Sequence, residues 1–269
     1  MAALRVSGGG RKFTGRQAGR ADTGAMYSDE EVAALYDVLN PWDPEVWPAD
    51  GFHSRLVMGA GAVLDVGCGT GALLGWAREN GHGGRLAGVD PDRAALARAR
   101  ARRGDVEWVE GVAAGLGWTA EFELATMTSH AFQCLVTDEE IRASLAAIRA
   151  ALRPGGRFAF ETRHPQARAW EGWTPAAVSE VRDGAGRALR VWYEAAEVEE
   201  GVVSVAETTA DAEGTVLRVD RQRLRFLSEA RLDGFLAEAG FEVAERYGDW
   251  VGGPVTAASG ELVTVARRA

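Results

Sequence analysis

Apolar positions recur at helical spacing early in the chain. Val32, Leu35, Tyr36 and Leu39 fall on one face, behind Ser28 and the acidic run Asp29-Glu30-Glu31. That pattern predicts a helix capped by Ser28, with acids in its positive first turn, closed by Asn40-Pro41. Residues 41–50 are rich in Pro, Trp and Asp and read as a loop, and a second helix is predicted over 51–58. The pattern then alternates. Short apolar runs at Ala62–Val66, Arg85–Val89, Val106–Val109, Phe122–Met127 and Arg157–Thr162 read as strands. Between them, 72–80, Pro91–Arg103 and Asp138–Leu152 carry helical spacing. Strand and helix in alternation predict a parallel sheet joined by right-handed crossovers.

The alternation stops after Pro165. Ala188–Ala195, Gly201–Thr208 and Thr215–Phe226 show a period of two, with turns at Gly184-Ala185-Gly186, Glu200-Gly201 and Glu213-Gly214. Residues 173–227 therefore read as a small antiparallel sheet inserted into the α/β body. Helical spacing returns over Ser228–Ala239 and stops at Gly240. Phe241–Tyr247 and Glu261–Arg267 form the expected terminal strand pair.

Composition narrows the class. A chain of 269 residues buries one sizeable core, and its 46% apolar and 26% charged residues suit a globular protein. No apolar run reaches the ~20 residues of a membrane span, and no secretory leader is visible. Two cysteines, Cys68 and Cys134, give neither a disulfide framework nor a zinc spacing. The expectation is a cytoplasmic protein with reduced thiols and no metal. The net charge of −9 is uneven. Residues 1–25 hold Arg5, Arg11, Lys12, Arg16 and Arg20 against Asp22, which leaves −13 on residues 26–269. The acidic body argues against nucleic acid as a partner. The glycine-rich basic start reads as a disordered tail.

The chemistry is concentrated at Asp65-Val66-Gly67-Cys68-Gly69-Thr70-Gly71, which follows a strand and opens a helix. Glycines there allow a tight turn and the close approach of a ligand to bare backbone. Asp90 ends the next strand, 19 residues after Gly71, where a carboxylate meets the hydroxyls of an adenosine ribose. Gly67, Gly69 and Ala72 also satisfy the loose dinucleotide pattern. Asp65 opposes that reading, because an acid beside the loop repels a pyrophosphate. It suits the amino group of S-adenosylmethionine, which carries a sulfonium and no phosphate.

Four segments in order resemble the motifs of class I S-adenosylmethionine-dependent methyltransferases. They are Val63–Gly71, Gly88-Val89-Asp90-Pro91, Phe122–Met127 and Leu152-Arg153-Pro154-Gly155-Gly156-Arg157-Phe158. The resemblance covers roughly 60–165, and more loosely 228–268. It implies a Rossmann-like, mainly parallel seven-stranded sheet with helices on both faces and an inserted antiparallel β-sheet after strand five. It implies S-adenosylmethionine as cofactor, held by Asp65, Gly67, Cys68, Gly69, Asp90, Pro91 and Thr128. The family often has an acid after strand three to meet the adenine. Here Val112 stands in that place, so the backbone of Val112 and Ala113 takes the role instead. A segment before the first motif closes over the cofactor in related small-molecule enzymes, often with a tyrosine. Tyr27 and Tyr36 are the candidates, and ordinary helix packing is the other reading of Tyr36.

Open α/β sheets bind ligands beyond the carboxyl ends of their strands. After strand four come His130, a candidate general base, and Phe132, which either lines the acceptor pocket or lies beneath it. After strand five come Glu161, Arg163 and His164, and Arg163 is placed either against an acceptor carboxylate or on the surface. Trp170, Trp173 and Trp192 read as an aromatic pocket or as the insertion's own core. Trp250, in Tyr247-Gly248-Asp249-Trp250-Val251-Gly252-Gly253-Pro254, is a further acceptor-side candidate, in a pattern that resembles actinobacterial members acting on natural products or peptide amines. The expected reaction moves a methyl group to nitrogen or oxygen of a small molecule by in-line displacement, which asks the protein mainly for alignment. Two rivals remain at this level: a nicotinamide-dependent oxidoreductase, and a non-catalytic cofactor-binding regulatory protein.

Overall fold

The computed structural model describes residues 26–269. The basic stretch expected to be disordered lies outside the described residues. The first helix, α1 (Asp29–Leu39), starts on a full capping box, in which Ser28 and Glu31 satisfy each other's backbone N–H groups. Helix α2 (Pro48–Met58) begins three residues earlier than expected, because Pro48 occupies its first turn, where no N–H is needed.

The body alternates from there. It runs β1 (Ala62–Val66), α3 (Ala72–Glu79), β2 (Arg85–Asp90), α4 (Arg93–Arg102), β3 (Glu107–Glu110), β4 (Phe122–Met127), α5 (Asp138–Ala151) and β5 (Leu152–Arg163). The insertion contributes β6 (Ser179–Arg182), β7 (Ala188–Glu199), β8 (Val202–Asp211) and β9 (Val216–Arg225). The chain ends with α6 (Glu229–Glu238), β10 (Phe241–Tyr247) and β11 (Glu261–Arg268).

Seven strands form one sheet in the order β10-β11-β5-β4-β1-β2-β3, and β6 to β9 form a second, antiparallel sheet. In the large sheet, β3-β2-β1-β4-β5 pair parallel, while β11 runs antiparallel to both β5 and β10. The expected Rossmann-like fold with an inserted antiparallel sheet is the fold observed. All five residues of β1 are buried, as a strand covered on both faces requires. Alternate side chains go to opposite layers. Leu64 and Val66 pack with α5 and α6 through Ile141, Leu145, Leu232 and Phe235. Val63 packs with α2 and α3 through Val57, Leu73 and Leu74. Asp65 shares the parity of Val63, and so lies on the α2 and α3 side.

The insertion has its own core. Val203, Val205, Leu224 and Phe226 pack with Trp170 and partly buried Trp173. These two tryptophans are thus core residues. Tyr27 and Leu35 pack on Leu189 and Val191 of β7, which joins α1 to the insertion. No described helix is long and apolar enough to cross a membrane.

Candidate active site

The glycine loop takes its shape from three left-handed residues, Gly67, Gly69 and Gly71, with φ of 75°, 54° and 73°. At Gly71 the requirement is also steric, since a β-carbon would lie 2.5 Å from the Trp108 ring. The N–H groups of Gly67 and Cys68 both donate to the Val89 carbonyl, at 2.7 and 3.1 Å, which pins the loop to β2. Gly69 N–H donates to Asp90 Oδ2 at 2.8 Å, and Asp92 N–H donates to Asp90 Oδ1 at 2.8 Å. Each carboxylate oxygen keeps a further lone pair for a ribose hydroxyl. Burial raises the Asp90 pKa to about 6, against the downward pull of those two N–H donors.

Asp65 lies within β1, is 1% exposed, and accepts a 2.7 Å hydrogen bond from Thr126 Oγ1 on β4. Burial drives its pKa up to about 7. Thr126 and His53 oppose that rise, while Asp90 and Glu161 add to it.

A cleft opens beside the loop. Tyr36, Asp65, Gly67, Cys68 and Thr128 line it, and so do Trp42, Asp50 and Ser129. It therefore has two buried carboxylates, Asp50 and Asp65, and no Arg, Lys or His among the described residues that line it. Such a wall suits a cationic ligand and opposes a pyrophosphate. The residues present fit S-adenosylmethionine: bare glycine backbone, Asp90 behind the loop, and Asp65 facing the cleft for an ammonium group.

Helix α1 is tied to this loop. Asp37 accepts hydrogen bonds from Thr70 Oγ1 at 2.5 Å, Arg98 at 2.8 and 3.1 Å, and Arg102 at 2.9 Å. At its other end, Arg218 of β9 donates to Asp29 at 2.6 Å, and Arg187 pairs with Glu31.

Several expected site residues lie elsewhere. Phe132 is 2% exposed and stacks on Phe160 at 4.6 Å, so it belongs to the core beneath the sheet end and not to a pocket wall. Arg163 is the last residue of β5 and is neither on the surface nor in the cleft. It is 1% exposed, donates to Gln133 Oε1 at 3.0 Å and lies over the Trp173 ring at 4.9 Å. Trp250 is away from the cleft lining, with its ring 5.7 Å from that of His53. Pro91 follows Asp90, Ala113 is buried, and Val112 is more than half exposed; none of the three lines the cleft. Tyr27 faces the insertion, within 3.4 Å of Asp183.

His130 is buried one residue beyond the cleft-lining Ser129. Its Nε2 lies 2.8 and 3.0 Å from the two oxygens of Glu261, and its backbone N–H donates to Glu161 Oε1 at 3.0 Å. The other Glu161 oxygen lies 2.9 Å from His53 Nε2. Sequence reasoning missed Asp37, Asp50, His53 and Glu261. One signal was available: Asp50, His53 and Ser54 share a face of α2 at spacings of three and four, and all three are buried.

Comparison with known proteins agrees with this geometry. Residues 63–156 match the family described as "Methyltransferase domain". Over 255 residues the chain is 28% identical to the cypemycin N-terminal methyltransferase of a Streptomyces species, across 89% of this chain and 97% of that protein. The S-adenosylmethionine-bound structure of CalS10, an amino pentose methyltransferase from Micromonospora echinaspora, is 27% identical with a TM-score of 0.62, covering 88% and 96% of the two chains. The CcbJ methyltransferase of Streptomyces caelestis shares the fold, with a TM-score of 0.67 at 23% identity over 86% of this chain and all of that one.

Proposed function

We propose that this chain, an S-adenosylmethionine-dependent methyltransferase, methylates an amine nitrogen of a small molecule or of a peptide terminus. The observation that carries the reading is the cleft wall, with Asp50 and Asp65 buried in it and no Arg, Lys or His among the described residues that line it. Asp65 faces the ammonium of the cofactor, and Asp50, which accepts the Asp43 N–H at 2.9 Å, adds negative charge to a wall that suits a cationic acceptor. The two relatives that act, by their names, on a peptide N-terminus and an amino sugar support the same class.

S-adenosylmethionine supplies an electrophilic methyl group on its sulfonium. The protein's work is to hold the amine in line and neutral, because a protonated amine has no lone pair to attack with. His130 is the residue we assign as proton acceptor. It adjoins the cleft wall, and Glu261 stabilises the imidazolium that would form. Residues 173–227 act as the acceptor-side cap of a single catalytic unit spanning 26–269. Gln133, just beyond the β4 turn, is bonded to both the Arg225 carbonyl of the insertion and Arg163 of the body.

The test is transfer of labelled methyl from S-adenosylmethionine to a panel of amino sugars and free-N-terminal peptides, each paired with its hydroxyl analogue. Label on the amines alone is the expected result. Label confined to the hydroxyl compounds refutes the nitrogen assignment. His130→Asn should lower kcat/KM most at low pH, and an unchanged pH profile removes His130 from the proton step.

A further inference from the structure

Glu161 has a position that fold stability does not explain. It lies in β5 with neighbours Phe160 and Thr162 in a fully buried stretch, and is itself fully buried. An apolar residue there would pack at less cost than a carboxylate, which must be paired to be tolerated. Both its oxygens are committed. Oε2 meets His53 Nε2 of α2 at 2.9 Å, and Oε1 takes the backbone N–H of His130 at 3.0 Å.

The backbone it holds is unusual. Ser129 and His130 have φ of 58° and 62°, two successive left-handed residues that both carry β-carbons. Such conformations persist where the surroundings over-determine them, and they cluster at functional sites. Here the surroundings are two carboxylates. Glu161 holds the His130 main chain from one side, and Glu261 of β11 holds its ring from the other. The turn so fixed places Thr128 and Ser129 on the cleft wall, at the carboxyl end of β4, where this class of sheet receives its ligands.

We infer that Glu161 is a positioning residue for methyl transfer, which fixes the Ser129–His130 turn against the acceptor and couples it to His53 on α2. The inference rests on the acceptor side of the cleft proposed above. The charged and titratable groups around Glu161 are His53 from α2, His130 from the turn, Glu261 from β11, Arg163 from β5 itself and Asp65 from β1.

Glu161→Gln tests it in the full-length protein. The amide keeps an oxygen for the His130 N–H but offers His53 a donor in place of an acceptor. We expect kcat on the amine acceptor to fall about 10- to 100-fold, as small misalignments do in such reactions. S-adenosylhomocysteine affinity by calorimetry should stay within about threefold. Nitrogen-15 spectra should show the His53 ring changing tautomer and the His130 amide moving. Glu161→Asp, which restores the charge, should recover part of kcat and shift the pH profile back toward wild type. The inference is overturned if Glu161→Gln keeps wild-type kcat, if both histidine signals stay in place, or if cofactor affinity falls in step with turnover. A wild-type protein inactive on every amine would refute the nitrogen reading alone, because the spectra and the cofactor titration still decide the role of Glu161.

Discussion

Replacing Asp65 by Asn should make the protein more stable and a worse enzyme. Asp65 is buried in β1 and its pKa rises from 3.8 to about 7. A carboxylate with a raised pKa is more easily protonated folded than unfolded, so ionising it at higher pH costs stability. The cost is absent below pH 3.8, grows between 3.8 and about 7, and is complete above that. At 1.36 kcal/mol per unit it amounts to on the order of 4 kcal/mol. Asn keeps an oxygen for the Thr126 hydroxyl but brings an amide N–H₂ that needs a partner, which returns roughly 1–3 kcal/mol. The net gain is about 1–3 kcal/mol, or roughly 3–10 °C in Tm at pH 8 for a chain of this size. The same change removes the anion facing the cofactor's ammonium and should weaken S-adenosylhomocysteine binding by about 100-fold, the scale of a charged hydrogen bond. Thermal melts of both proteins from pH 4 to 8.5, with calorimetric titration at pH 8, measure both effects. The Tm advantage should vanish and then change sign as the pH falls towards 4, where the ionisation cost is gone and only the cost of the unpaired amide remains. A variant less stable than wild type at pH 8, or one that binds the cofactor normally, refutes the reasoning.

Three further outcomes follow from the same geometry. Cofactor affinity of the wild-type protein should fall as the pH drops below about 7, approaching tenfold per unit, since the cationic group must meet an ionised Asp65; titrations at pH 5.5, 6.5 and 7.5 check this. Asp37→Ala removes the acceptor shared by Thr70, Arg98 and Arg102, and should raise the cofactor Kd about tenfold while exposing α1 to limited proteolysis. Gly71→Ala forces a β-carbon into left-handed backbone and against Trp108, and should cost about 2–4 kcal/mol, read as a lower midpoint in urea.

The elements with a regular period were legible in the sequence, because burial on two faces or one imposes that period directly. Strand β6 escaped, as its four residues alternate between half-buried and exposed and Val181 is its one apolar residue. The glycine loop was legible because its backbone demands glycine at Gly67, Gly69 and Gly71. Tyr36, Asp65 and Thr128 on the cleft wall were legible too, but the carboxylates and histidine packed around them were not. Asp50 and His53 on α2 and Glu261 on β11 come from two distant segments, and their placement at the site depends on how α2 and β11 pack on the sheet. Phe132 shows the converse. It stands in the right loop, yet the short 3₁₀ turn after His130 directs its ring into the core against Phe160. Arg163 was expected either against an acceptor carboxylate or on the surface, but it is buried under the Trp173 ring.

The eleven residues of α1 hold Thr70 of the glycine loop through Asp37 and the insertion, the proposed acceptor cap, through Asp29, Glu31 and Leu35. One rigid rod fastened at two places makes the occupancy of each place a variable of the other. Thermodynamic reciprocity then sets the size of the effect. Whatever factor the methyl donor adds to the affinity for an acceptor seated under the insertion, the acceptor must add to the affinity for the donor. Where that factor exceeds one, donor and acceptor bind synergistically, and the spent cofactor leaves more readily once the methylated product has gone.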